Sequence, residues 1–350
     1  MTKSRISLII VSILFVLVFI FSSSFAGGMP RVSADAPVEV DAGPATLPIN
    51  PIGGEMVFDN TPRFYFSQAA THTDTMKYRI DVWNFNKNTL VYSFKGKPTC
   101  VLSKCWFDPT TTLKYVDITE TKGLYYWVVQ AKTGDDWSLP SDKAYFKVMT
   151  PGFDSAFTAL GKWLPIKGTW SIVDPGYLLT QTKPDKFLSV LYKHQVTKGY
   201  KFEVRMKRKG EFGKGNYVIV NGYPYNGTGN ILDSGWDDGY MIGYSNLGYW
   251  FVKKRLNGAE TQLIPNTNEI TPAVVPYKWN RITVFVRDSF IYVWINEQYL
   301  GKAYDENLPP QGWVGIGADD SNPIASPLYV DWAELEYVDD LPYPMGEPGQ

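Results

Sequence analysis

The chain has 350 residues, enough for two domains, and 15% of them are aromatic. A formal net charge of -1 excludes an overall field that would steer it to nucleic acid or to anionic lipid. Two histidines and a single cysteine pair argue against a structural zinc site.

The chain opens on an address. Lys3 and Arg5 precede an apolar run over 6–21 that only Ser7 and Ser12 interrupt, and Ser24-Phe25-Ala26 offers small residues for cleavage after Ala26. The run is shorter than the ~20 residues of a membrane span. The expectation is a cleaved signal peptide over 1–26, a secreted or cell-surface location and no span thereafter, with an uncleaved anchor as the alternative. Residues 27–51, rich in Pro, Ala and Gly without a period, read as a linker.

Strand-like runs follow at 63–66, 76–83, 89–94, 124–131 and 143–148, separated by turn residues. This predicts a small β-sandwich over 52–150. Within it, Cys100 and Cys105 are expected to pair after export. So short a loop contributes only about 2 kcal/mol on the chain-entropy model. Thr150-Pro151-Gly152 marks a boundary. Beyond it, runs at 169–173, 177–180, 187–192, 200–207, 217–220, 240–244, 249–255, 313–318 and 328–338 read as strands, and 277–300 as a pair with tight turns. Ten or more antiparallel strands imply two stacked sheets over 151–339. Residues 340–350 read as a flexible tail.

The pieces T-P-R-F-Y-F, Y-R-I-D-V-W, L-Y-Y-W-V-V-Q-A and D-W-S-L-P-S-D-K-A-Y-F-K-V resemble fibronectin type III or immunoglobulin-like modules. Such modules are usually spacers. In the second half, G-T-W-S-I-V-D-P-G-Y-L, G-Y-K-F-E-V-R-M, D-D-G-Y-M-I-G-Y, K-W-N-R-I-T-V-F-V, I-Y-V-W-I-N-E-Q-Y-L, G-W-V-G-I-G-A and Y-V-D-W-A-E-L-E-Y-V occur in an order that resembles the concanavalin A-like lectin/glucanase superfamily, in its laminin-G-like and family 16-like branches. The resemblance implies an all-β protein: a spacer sandwich followed by a jelly roll. Relatives often turn the long hairpin with Asn-Gly. Asn296-Glu297 stands here instead, so a longer loop is expected.

The glucanases of that superfamily carry E-x-D-x-E or E-x-x-D-x-E, which this chain lacks. Its nearest acid cluster is Asp331, Glu334 and Glu336. Alternation puts the two glutamates on one face and Asp331 on the other. The cluster reads as a solvated strand face rather than the paired carboxylates of glycoside hydrolysis. The basic run of Lys198, Lys201, Arg205, Lys207, Arg208 and Lys209 reads the same way, with a contact for acidic polysaccharide as the alternative.

The segment 222–239 is the sequence's own candidate for binding. Tyr223, Tyr225 and Trp236 can stack on a pyranose, and Asn226, Asn230 and Asp237 can bond its hydroxyls. Asp233, Asp237 and Asp238 leave calcium possible, and Asp319-Asp320 is a second oxygen source, without the spacing of a calcium loop. The leading expectation is non-enzymatic glycan binding or adhesion. A glycoside-active enzyme and a structural surface protein with protein partners are the alternatives.

Overall fold

Alternation along the strands decides which residues enter the core. In the strand Tyr200–Arg208, Tyr200, Phe202, Val204 and Met206 are buried, while Lys201, Arg205 and Lys207 face outward. The computed structural model describes residues 46–338, apart from 119–122, 174–176, 182–186, 211–212, 214, 225–234, 265–269 and 320–325. Every regular element among the described residues is a strand. The expected export signal, linker and tail lie outside them, apart from residues 46–51 of the linker. No helix of the described residues is long and apolar enough to cross a membrane.

The second half is a jelly-roll sandwich of two eight-stranded sheets. Sheet I runs in the order Thr169–Val173, Tyr177–Gln181, Leu328–Tyr337, Tyr200–Arg208, Asn280–Arg287, Phe290–Ile295, Gln298–Tyr304, with Phe153–Ser155 also on Leu328–Tyr337. Sheet II runs Trp163–Lys167, Phe187–Tyr192, Gln311–Asp319, Gly215–Pro224, Trp236–Ser245, Trp250–Leu256, Ala259–Ile264, with Val196–Thr197 also on Gln311–Asp319. Between them lie Phe202, Val204, Ile282, Val284 and Val293 from sheet I and Val190, Val218, Ile242, Val252 and Ile316 from sheet II, each 1% exposed or less.

Three local features depart from the sequence reading. The hairpin at 295–298 needs no longer loop: Ile295 pairs with Gln298 across a two-residue turn. Asn296 and Glu297 both take positive φ, 48° and 68°, as a type I′ turn requires. Asn296 is secured there, its Oδ1 accepting from Arg281 N and its Nδ2 donating to Ala273 O. Asp331 stands on the same face as the glutamates, because a register shift in its pairing with Tyr200–Arg208 inserts an extra residue. Arg205 reaches it at 2.5 Å. Arg208 is no surface cation. It is 1% exposed and donates to the backbone carbonyls of Ser326, Gly215 and Asp319, tying the ends of both sheets together.

The first half has a four-stranded and a six-stranded sheet, running Pro48–Asn50, Phe64–Ser67, Lys104–Phe107, Thr99–Val101 and Glu55–Val57, Ala144–Val148, Leu124–Thr133, Tyr78–Asn84, Thr89–Gly96, with Asp136–Trp137 also on Leu124–Thr133. Phe64, Phe66, Tyr78, Ile80, Trp127 and Phe146 fill the space between. Cys100 and Cys105 face each other across one hairpin and form a disulfide. All described residues belong to one compact unit. The two halves meet through backbone: Ile118 N donates to Lys193 O, Gln195 N donates to Val116 O, and Asp117 bridges His194.

Two predictions follow from this geometry. Glu297→Gly removes a side chain from the left-handed region, which costs an L-residue roughly 1–2 kcal/mol. It also loses an exposed pair with Arg281 that is worth ~0.5 kcal/mol. A net gain of about 1 kcal/mol is expected in urea unfolding, and a loss would refute the strain argument. His194 is the second case. Burial pushes its pKa down to about 4, against partial compensation by Asp117, with Lys162 and Lys193 adding to the depression. Between pH 4 and 6.5 the unfolded chain therefore binds the extra proton, and stability falls as pH drops through that window. The loss is about 3 kcal/mol, complete below pH 4. Stability curves of the protein and of His194→Gln should diverge across this window, and parallel curves would contradict it.

Candidate functional site

Four places were candidates for chemistry: the segment 222–239, the outer face of sheet II, the outer face of sheet I, and the titratable clusters.

The segment is shorter than a loop reading suggests, because its ends are strands. Tyr223 pairs with Asp238 and Pro224 with Trp236. Tyr225, Asn226, Asn230 and Asp233 lie outside the described residues. Tyr223 stands edge-on to Trp313 at 5.5 Å between centroids, and its hydroxyl donates to Gln311 O at 2.9 Å. Trp236 is only 1% exposed. Its ring packs over Gly222 and Gly315, so it presents no stacking surface to solvent. Asp238 Oδ1 accepts from Asn257 N at 2.6 Å, and Asp237 O accepts from Gly258 N. Asp237 is the extra residue of a bulge, standing between Trp236 and Asp238 where the pairing with Tyr223 and Pro224 shifts register.

The outer face of sheet II is filled. Leu191, Tyr217, Ile219, Trp236, Met241 and Phe251 form a second apolar cluster there, with Ile118, Leu164, Ile166 and Trp313 packed against it. Glycines make the room. A Cβ on Gly315 would lie 2.5 Å from the Trp236 ring and 2.8 Å from Val190 O, and one on Gly243 would lie 2.6 Å from the Phe251 ring. Asp319 closes one end of this face. Burial pushes its carboxyl up to about 6, with Lys253 and Arg208 holding it back. Asp320 lies outside the described residues.

The outer face of sheet I is different in kind. Over Asn280–Arg287, Phe290–Ile295 and Gln298–Tyr304, the side chains opposite the core include a run of rings, with Arg281, Thr283 and Arg287 beside them. Phe285 lies 5.4 Å from Trp294, Trp294 is 5.2 Å from Tyr299 and 6.3 Å from Tyr292, and Tyr292 is 5.9 Å from Phe290. Tyr304, 59% exposed, continues the row 5.1 Å beyond Phe290. The other five rings are half-buried. Lys302 reaches over Phe290 and Tyr292. The sequence carried the signal for these rings: alternation over 282–295 puts Phe285, Tyr292 and Trp294 on the face away from Ile282, Val284 and Val293.

The rest of that face is ionic. Lys201 bridges Glu203 at 3.0 Å and Glu336 at 3.2 Å, and Glu203 also accepts from Thr283 at 2.8 Å. With Asp331 held by Arg205, these acids lie within a network of ion pairs on a sheet surface. Glu334 sits directly across from Glu203. Lys207 lies over Trp279 at 4.5 Å and Lys209 over Tyr329 at 5.2 Å.

No family model matches the chain, and no curated protein matches it. Solved structures do. A carbohydrate-binding module, CBM66 of Bacillus subtilis, is 15% identical over 49% of this chain and 94% of its own, with a TM-score of 0.38. A Bacillus licheniformis beta-glucanase is 14% identical over 53% of this chain and 97% of its own, with a TM-score of 0.41. A prokaryotic beta-1,3-1,4-glucanase from a mouse hindgut metagenome is 14% identical over 53% and 99%, with a TM-score of 0.38.

The glycines under the rings generate a further prediction. Gly315→Ala must displace Trp236 or a backbone carbonyl, and overpacking of this kind costs about 1–3 kcal/mol. The urea midpoint should fall accordingly, with near-ultraviolet circular dichroism reporting the altered Trp236 environment. An unchanged midpoint would mean that the ring is free to move off the sheet.

Proposed function

We propose that this is an exported, non-catalytic glycan-binding protein, whose jelly roll is carried on an immunoglobulin-like or fibronectin type III-like spacer. The observation that carries the reading is the row of outward-facing aromatic rings on sheet I. A pyranose offers a C–H face that stacks on such rings and hydroxyls that remain in water. Rings about 5–6 Å apart along a sheet engage an extended polysaccharide rather than one residue of it. A sheet presents them without entropic cost, since the side chains are already fixed by their neighbours. Export rests on the N-terminal 26 residues. Absence of catalysis rests on the missing glucanase motif and on acids already engaged with Lys201 and Arg205. In the segment 222–239, Tyr225, Asn226 and Asn230 are proposed as secondary sugar contacts and Asp233, Asp237 and Asp238 as a calcium-dependent adjunct.

Retention of the full chain on insoluble polysaccharides tests this. Trp294→Ala with Tyr292→Ala should lower retention at least tenfold while leaving the unfolding midpoint within about 1 kcal/mol, as expected for half-exposed side chains. Retention unaffected by this pair would move the site off sheet I. Failure to retain any glycan would favour a protein partner for the aromatic face, and release of soluble sugar during the assay would overturn the non-catalytic reading.

A further inference from the structure

His72 stands 28 residues before Cys100 in the sequence. The fold brings them together. Phe66 pairs with Cys105, so the chain leaving Phe64–Ser67 runs beside the disulfide hairpin, and Gln68 N donates to Ser103 O. A turn then closes from His72 N to Ala69 O. The ring nitrogen of His72 and the sulfurs of Cys100 and Cys105 lie within 4.8 Å of one another.

We propose that the Cys100–Cys105 disulfide is the closed form of a redox-gated zinc site, and that reduction opens a His72, Cys100, Cys105 ligand set. In the disulfide neither sulfur is a thiolate, and thiolate is the form that ligates. A dithiol reductant breaks the S–S bond, supplies two electrons and two protons, and closes to its own disulfide. Zn2+ then displaces the two thiol protons to solvent, and two thiolates neutralise its charge. Zn–S bonds of ~2.3 Å and a Zn–N bond of ~2.0 Å place tetrahedral donors roughly 3.3–3.8 Å apart, inside the span this cluster already has. The fourth position is left to water.

The surroundings suit such a site. Tyr78, fully buried, places its hydroxyl 2.8 Å from His72 Nδ1 and accepts from Ala69 N, so the imidazole is held by a group anchored in the core. That second partner fixes the ring through one nitrogen, the kind of support that strengthens a histidine's hold on zinc. Cys105 is wholly buried, while Cys100 and His72 are half exposed, so one side of the cluster is open to a reductant and to an incoming ion. Backbone pairing on either side of the cysteines, Thr99 with Trp106 and Val101 with Lys104, holds them opposite each other in addition to the disulfide.

The test uses the full, untagged chain, reduced with dithiothreitol and freed of it by anaerobic gel filtration. Co2+ is titrated in, followed by Zn2+. One equivalent of Co2+ should produce thiolate-to-cobalt charge-transfer absorption that Zn2+ abolishes, and the oxidised protein should show none. His72→Ala should weaken Co2+ at least tenfold with the disulfide still forming in air. Cys100→Ser, at the more exposed cysteine, should remove the charge-transfer band while circular dichroism stays unchanged. Absence of binding by the reduced, folded protein would overturn the proposal, as would equal affinity in His72→Ala or equal binding by the oxidised chain.

Discussion

The jelly roll depends on sheet II being buried on both faces. One face meets sheet I. The other is paved by Tyr217, Trp236, Met241 and Phe251, which lie close to the sheet because Gly222, Gly243, Gly315 and Gly317 stand under or beside them. A side chain at any of those four positions would occupy the volume that a ring now fills. Large rings flat on a sheet bury much area at little conformational cost, since each has only two side-chain torsions. The described part of this face is therefore core rather than open surface.

The strands and the main core were legible because their periodicity is local. Alternation over 200–207 and 282–295 is enough to separate Phe202, Val204, Ile282 and Val284 from Lys201, Arg205 and Arg281, whatever the topology. Trp236 was illegible for the converse reason. Its burial depends on Gly315, which reaches it from a strand almost at the other end of the domain, and on Gly222 across a bulged hairpin. Asp331 was misplaced by one residue, because a bulge inverts alternation and leaves no mark in the sequence itself. Arg208 looked like part of a basic surface run. Its acceptors are backbone carbonyls, which composition cannot reveal.

The boundary between the two halves was read from Thr150-Pro151-Gly152, where Pro and Gly end the preceding strand. Gly152 does mark a close approach, with φ at 111° and a position where a Cβ would lie 2.5 Å from Leu335 O. Yet a second segment, 116–118, crosses to pair with Lys193 and Gln195 and adds Ile118 to the apolar layer outside sheet II. Backbone pairing and shared apolar burial together make a stiffer joint than a linker does. A joint of this kind holds the first half and the jelly roll in a fixed relation.

The outer face of sheet I combines two kinds of surface. Around Glu203 the charges are matched: Lys201, Arg205, Arg281, Asp331 and Glu336 satisfy one another. Such a patch gains little by releasing its partners to a ligand, because each departing ion pair must be replaced. Along the Phe290–Ile295 hairpin the rings stand side by side, with Lys302 over two of them. The face is thus divided into an ionic half, whose charges are already paired, and an aromatic half, an asymmetry on which the proposed stacking of a sugar face rests.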